Sequence, residues 1–167
     1  PGIARDQKQV SIALRDTFPI GSNGLCEAQI LAPEQGAGLF DRRYSIICRD
    51  AARPVGTLWV VKTKEGDSDV QQFVGKDLAC KPEEAAAADL PGLNGTRRFA
   101  CARQGSTIRN DLLIGTRGGR IYAATGLMAY AKALELGLAS LAGDKVVPGA
   151  VEIPLTNAMD DLAFARQ

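Results

Sequence analysis

Six arginines fall within 24 residues in the second half of the sequence, and Asp111 is the only acidic residue among them. If β-strands place several of these side chains on one face, their guanidinium groups form a site for phosphate, a carboxylate or an acidic protein surface. The alternative is a solvated sheet face whose charge is balanced elsewhere in the chain. The candidate ligand-binding arginines are Arg97, Arg98, Arg103, Arg109, Arg117 and Arg120.

The sequence contains no histidine. This excludes Ser–His–Asp and Cys–His catalysis, and every zinc or haem site that needs a histidine ligand. The sequence also has no S-x-x-K or G-x-S-x-G motif, and its acidic pairs lack the spacing of a calcium-binding loop. We therefore expect a chain without catalytic residues, metal or cofactor. The alternative is a small extracytoplasmic hydrolase that uses carboxylates or a Ser/Lys pair.

The charge of the chain is balanced, with 20 Lys and Arg against 19 Asp and Glu. Nucleic-acid binders and membrane-surface proteins normally carry a large excess of positive charge. No apolar run approaches the roughly 18 residues that a membrane-spanning helix requires. The composition therefore predicts a globular chain that neither binds nucleic acid nor spans a membrane.

Four cysteines are well separated along the chain, and none belongs to a C-x-x-C motif. An even number of cysteines in a small domain indicates two disulfides and an oxidising compartment, so we expect a periplasmic or secreted protein. The alternative is four buried thiols in the cytosol. Three pairings are possible, and the sequence alone does not choose among them. The cysteines are Cys26, Cys48, Cys80 and Cys101.

The spacing of these cysteines repeats, because 22 residues separate the first two and 21 separate the last two. In each pair, the second cysteine follows an R-R-aromatic motif. These matches predict an internal duplication, with copies at about 25–76 and 79–142, and a duplication favours the local pairs Cys26–Cys48 and Cys80–Cys101. Trp59 and Tyr122 hold matching places in the two copies. They could line a groove for a peptide or sugar, or fill equivalent core positions.

Secondary-structure signals are strongest in the second copy. Gly118 and Gly119 supply the positive φ angles of a tight β-hairpin turn. Apolar residues then recur at helical spacing up to Leu141, with Thr125 as a candidate cap and Gly143 as the stop. In the first copy, a helix is predicted to begin over residues 67–72.

The predicted fold is α+β, a duplicated antiparallel β unit with helices packed on one face and two disulfides. Residues 1–24 form an N-terminal extension and residues 25–149 form the duplicated domain. Residues 150–167 form a strand and the start of a helix, which is expected to lead into a further region.

Several runs of the sequence resemble one protein family. They are D-T-F-P-I-G, L-C-E-A-Q, F-D-R-R-Y-S-I-I-C-R-D-A-A-R-P-V-G-T-L-W, I-Y-A-A-T-G-L-M-A-Y-A-K-A-L-E-L-G-L-A-S-L and V-P-G-A-V-E-I. The chain, over roughly residues 10–166, looks like the N-terminal extracytoplasmic region of large bacterial proteins. In that family, tetratricopeptide repeats follow this region and a caspase-like CHAT domain lies at the C-terminus. The resemblance carries over no catalytic residue, because the family's His–Cys dyad belongs to the CHAT domain.

These features together predict a non-catalytic secreted interaction or regulatory module, the N-terminal domain of a larger repeat-containing protein. Its expected partner is a protein, a peptide, a small anion or the domains that follow it in the same polypeptide. A further alternative is a structural cap, because terminal repeats of helical arrays need one.

Overall fold

The computed structural model describes residues 11–12, 15–32, 40–61, 78–80, 86–103 and 108–152, with the backbone alone at positions 40, 41, 78–80, 86 and 103. Within these ranges the chain forms nine strands, a single 3-10 turn (Met128–Tyr130) and a helix, α1 (Ala131–Gly143). The strands are β1 (Thr17–Ile20), β2 (Cys26–Ile30), β3 (Phe40–Cys48), β4 (Gly56–Val61), β5 (Leu78–Cys80), β6 (Ala86–Ala87), β7 (Asn94–Arg103), β8 (Arg109–Arg117) and β9 (Arg120–Leu127).

The nine described strands form one sheet in the order β1-β2-β3-β4-β9-β8-β7-β5, and β6 pairs with β7. Every pairing is antiparallel. With α1 packed on the sheet, the predicted α+β class is confirmed. β1 falls in the segment predicted as an N-terminal extension, and its pairing with β2 makes residues 17–20 part of the sheet.

α1 packs on one face of the sheet, here called the helix face, against β9, β4, β1 and β8. Gly137 allows this close approach, because a Cβ atom there would lie 3.1 Å from Leu58 and 3.3 Å from Ile20. The main hydrophobic core lies between the helix and this face. Its fully buried side chains include Phe18, Ile20, Tyr44, Ile46, Leu58, Leu113, Tyr130 and Leu134.

A second, smaller core lies on the opposite face of the sheet, with Trp59 packed at its margin. Strand residues alternate between the two faces, so β8 contributes Leu113 to the helix face and its neighbours Leu112 and Ile114 to the opposite face. The central strands are therefore buried on both sides. The members of this opposite-face core are Val61, Phe99, Cys101, Leu112, Ile114, Ile121 and Ala123.

The strongest local signals of the sequence are confirmed. Gly118 and Gly119 form the β8–β9 turn with φ angles of 58° and 79°, as a type I′ turn requires. The predicted helix forms as α1 and ends at Gly143. The predicted cap was wrong, because Thr125 pairs within β9 and Tyr130 holds the N-cap position. The helix predicted over residues 67–72 lies outside the described residues.

Cys26 and Cys48 form a disulfide across β2 and β3, as predicted. They are direct register partners with Cα atoms 4.1 Å apart, the close spacing of a non-hydrogen-bonded antiparallel pair. Two disulfides were predicted, and this is the one seen in the described part of the chain. The backbones of Cys80 and Cys101 are also direct register partners, on β5 and β7.

The loop between β1 and β2 is held by the segment that follows α1. Asn23 donates from Nδ2 to the Val151 carbonyl (2.9 Å) and accepts from the Val151 N–H through Oδ1 (3.2 Å). The Ser22 N–H donates to the Gly149 carbonyl (2.8 Å). These bonds position one end of the sheet, next to the larger of the two cavities described below.

Candidate functional site

The six candidate arginines do not form one site. Arg109 and Arg117 stand at opposite ends of β8, eight residues and therefore about 27 Å apart. Arg97 faces away from α1 and lies over the Phe99 ring at 5.5 Å. Arg117 donates to the Gly92 carbonyl (3.2 Å), and the side chain of Arg103 is outside the described atoms. Strand pairing therefore disperses residues that are clustered in the sequence.

Arg98 lies half-buried on the helix face and contacts both β8 and α1. Its Nη1 atom pairs with Asp111 Oδ2, and its Nη2 atom lies 2.9 Å from Glu135 Oε1 on α1. Asp111 is 1% exposed, and its Oδ1 atom is buried without a hydrogen-bond partner in the described structure. Burial raises the pKa of Asp111 above its usual value, although the positive charge of Arg98 opposes this. This network links β7, β8 and α1.

Trp59 and Tyr122, considered above as the lining of a groove or as equivalent core residues, lie on opposite faces of the sheet. Trp59 pairs in register with Ala123, so its neighbour Tyr122 on β9 points to the other face. Trp59 packs against the opposite-face core and lies 5.7 Å from the guanidinium carbon of Arg43, whereas Tyr122 packs against the main core. The strands that carry the two residues also have different neighbours. Trp59 is on β4, which pairs with β3, whereas Tyr122 is on β9, which is separated from β7 by β8. The two positions are therefore not equivalent in the sheet.

Tyr122 and Arg120 instead line a small cavity of about 210 Å³ near the C-terminal end of α1. Arg42, Arg120 and Asp144 on its lining already have partners. Arg42 donates from Nη1 to the Tyr44 hydroxyl (3.2 Å), and Asp144 accepts a hydrogen bond from Ser11. This cavity therefore offers little unsatisfied chemistry to a ligand.

A larger cavity of about 420 Å³ lies at the β1–β2–β3 end of the sheet. Thr17, Pro19, Glu27 and Arg49 on its lining are exposed, so it is a surface groove. We call it the Arg15–Arg49 groove. Its lining residues are Arg15, Thr17, Phe18, Pro19, Gly24, Leu25, Cys26, Glu27, Ile47, Cys48 and Arg49.

Strand pairing sets the geometry of this groove. Pro19, Glu27 and Ile47 are successive register partners on β1, β2 and β3, and they form a row across its floor. Arg15 comes two residues before Thr17, and Arg49 follows β3 directly. Side chains at odd-numbered positions of these strands point away from α1, because the even-numbered Phe18, Ala28 and Ile46 are in the main core.

The two arginines of the groove differ from those elsewhere in having no ion pair or side-chain hydrogen bond within the described part of the chain. Glu27 accepts one long hydrogen bond from Gln29 (3.4 Å). Two guanidinium groups, the Glu27 carboxylate and the apolar side chains of Pro19 and Ile47 therefore line the groove together. Such an arrangement can bind a carboxylate or phosphate group through charge-assisted hydrogen bonds.

Sequence reasoning missed Arg15 and Arg49. They are 34 residues apart in the sequence and lie outside the dense arginine segment. The available signal was the spacing of Cys26 and Cys48. A direct cross-strand pair there sets the register of β2 on β3, and so places Arg49 opposite Leu25.

Comparison of the chain with protein-family models, with curated proteins and with solved structures found no match. Among the described residues, no group of three or more His, Cys, Asp or Glu side chains is arranged to hold a metal ion. No described helix is long and apolar enough to cross a membrane.

Proposed function

We propose that this chain is a non-catalytic interaction module that binds an anionic group of a protein or peptide in the Arg15–Arg49 groove. The observation that carries the proposal is a 420 Å³ surface groove flanked by two arginines whose side chains lack partners in the described chain. Arginine is well suited to this role, because its planar guanidinium remains charged and donates to both oxygens of a carboxylate.

The proposed compartment is the periplasm or the cell exterior. The Cys26–Cys48 disulfide supports this, because disulfides persist mainly in oxidising compartments. We propose a second bridge between Cys80 and Cys101. Their direct pairing on neighbouring antiparallel strands supports it, as does the absence of a free thiol among the described cysteines.

The proposed duplication relates β2-β3-β4 to β5-β7-β8, with β9 between the two halves. The two sets occur in mirrored order along the sheet, while equivalent strands run in the same direction. A twofold axis along β9 gives this order, and such a rotation exchanges the two faces of the sheet. In agreement with it, Cys48 belongs to the main core and Cys101 to the opposite-face core. In this relation β4 corresponds to β8, so Trp59 has no counterpart at Tyr122.

The resemblance to the leading region of repeat-containing CHAT proteins extends the proposal. It places the module ahead of tetratricopeptide repeats, so the anionic group could belong to the same polypeptide. The structural-cap alternative predicts instead that the groove arginines contribute nothing to partner binding.

Fluorescence anisotropy with a labelled decaglutamate peptide tests the proposal, with decalysine as the reverse-charge probe. We expect decaglutamate to bind the wild-type protein at low ionic strength and to bind R15Q/R49Q much more weakly. The matched control is R53Q/R109Q, which removes two exposed arginines outside the groove and the same total charge. Equal losses in both double variants would show that net charge alone attracts the peptide, and would overturn the proposal.

A further inference from the structure

The two arginines stand at opposite ends of the groove. The Arg49 N–H donates to the Leu25 carbonyl, so Arg49 lies opposite Leu25. Thr17 pairs with Gln29, and the same register continued by two residues places Arg15 beside Leu31. Leu25 and Leu31 are six positions apart on either side of β2, so the backbones of the two arginines lie about 20 Å apart along the strand direction.

The charge of the groove alternates along this length. Glu27 lies in the floor row with Pro19 and Ile47, between Arg15 at one end and Arg49 at the other. Because their backbones are about 20 Å apart, the two guanidinium groups are placed to contact separate anionic groups of one ligand. A ligand complementary to the whole groove carries one carboxylate near each end and a neutral or positive group between them.

A peptide could in principle bind by adding a strand to β1, but Pro19 opposes this. The Ile30 N–H donates to the Asp16 carbonyl, so even-numbered positions of β2 are hydrogen-bonded to β1. Pro19 pairs with the odd-numbered Glu27, and its backbone therefore faces the outer edge of the sheet. Proline has no N–H to offer there, and proline on an edge strand blocks strand addition.

We infer that the groove recognises an extended acidic peptide lying on the sheet face, with two carboxylate side chains, one for each arginine. This inference rests on the proposed function and names its ligand class. Side chains of an extended peptide share a face only at even spacing. Because the Arg15 side chain is long enough to reach the level of Thr17, carboxylates at positions i and i+4, about 14 Å apart, match the groove. The residue at i+2 then lies over Glu27.

The test uses two blocked pentapeptides of identical composition, measured by isothermal titration or anisotropy at low salt. The first has glutamate at positions one and five, lysine at position three and serine elsewhere. The second is an isomer with the two glutamates adjacent. We expect the first to bind more tightly, and R15Q and R49Q each to weaken its binding by about threefold to fivefold. Each single variant should bring the affinities of the two isomers together.

Two further measurements separate the possible failures. Replacing the central lysine by serine should weaken binding to the wild type, and E27Q should remove that preference. If both isomers bind equally and still depend on Arg15 and Arg49, the two-carboxylate inference is wrong while the proposed function stands. If inorganic phosphate displaces decaglutamate as well as the first pentapeptide does, the site is a simple anion site and the inference is also wrong. If no acidic peptide binds, both proposals fail.

Discussion

Gly56 and Gly126 are direct register partners on the central strands β4 and β9, and Leu134 of α1 lies over both of them. A Cβ atom at either position would come within 2.7 Å of the Leu134 Cδ2 atom and 2.6 Å of a backbone carbonyl oxygen. The helix therefore approaches the sheet most closely where two side chains are missing from it.

The substitution Gly126→Ala should lower the free energy of unfolding by about 2 kcal/mol, because overpacking a core forces neighbouring atoms to move. Urea denaturation monitored by Trp59 fluorescence measures this. Gly143→Ala is the matched control, since a Cβ atom there meets only the end of the Arg117 side chain at 3.8 Å. Its stability should be unchanged or slightly higher. A Gly126→Ala protein as stable as the control would contradict the packing described here.

The Cys26–Cys48 disulfide closes a loop of 22 residues. Replacing both cysteines by alanine should lower the free energy of unfolding by about 3 kcal/mol, if the bridge acts by constraining the unfolded chain.

The intact mass measured with and without reductant tests the proposed second bridge. A gain of about 4 Da on reduction corresponds to two disulfides and a gain of about 2 Da to one. A gain of only about 2 Da would refute the Cys80–Cys101 proposal.

Asp111 should make the stability of the fold depend on pH. Because burial raises its folded-state pKa, its contribution is fully present below the unfolded pKa, near 4, and is lost as the pH rises through the folded pKa. The partners that face it are Arg98 and Glu135. The side chain of the Asp111→Asn variant cannot ionise. Between pH 4 and pH 7 the free energy of unfolding of the wild type should therefore fall relative to that of the variant.

Urea unfolding of both proteins at several pH values checks this expectation. Asp89→Asn serves as the control, because Asp89 is exposed. A difference between wild type and Asp111→Asn that stays constant across the range would show that burial of Asp111 does not control its ionisation.

Pro19 should protect the β1 edge from pairing with other molecules. Pro19→Thr restores an N–H on the outward side of the edge strand and should therefore increase self-association. Size-exclusion chromatography over a range of concentrations measures this, with Pro54→Thr, in the exposed turn before β4, as the control. If the Pro19→Thr protein elutes like the wild type at every concentration, the edge is protected by another feature.

Sequence reasoning succeeded where the determinants are local. Paired glycines gave the β8–β9 turn, because Gly118 and Gly119 need only their own φ angles. Helical spacing of apolar residues gave α1. The exact start of the helix was missed, because the pairing of Thr125 with Leu112 extends β9 beyond the expected cap. Thr125 also lies opposite Thr57 on β4, a strand that is distant in sequence from the helix.

The candidate site was harder to predict for the same reason. Proximity in sequence suggested an arginine cluster, yet alternation along β7 sends Arg97 and Arg98 to opposite faces. Arg15 and Arg49 come together only through the successive pairing of β1 with β2 and β2 with β3. Register and face are set by the whole sheet, so no single window of the sequence contains them.

The clasp between Asn23 and Val151 joins residues that are 128 positions apart. A chain that emerges vectorially from a ribosome must therefore wait for the segment after α1 before this clasp can close. Until then, the loop that borders the Arg15–Arg49 groove lacks its partner. The Arg15–Arg49 groove is thus completed only after the central strands and α1 have been synthesised.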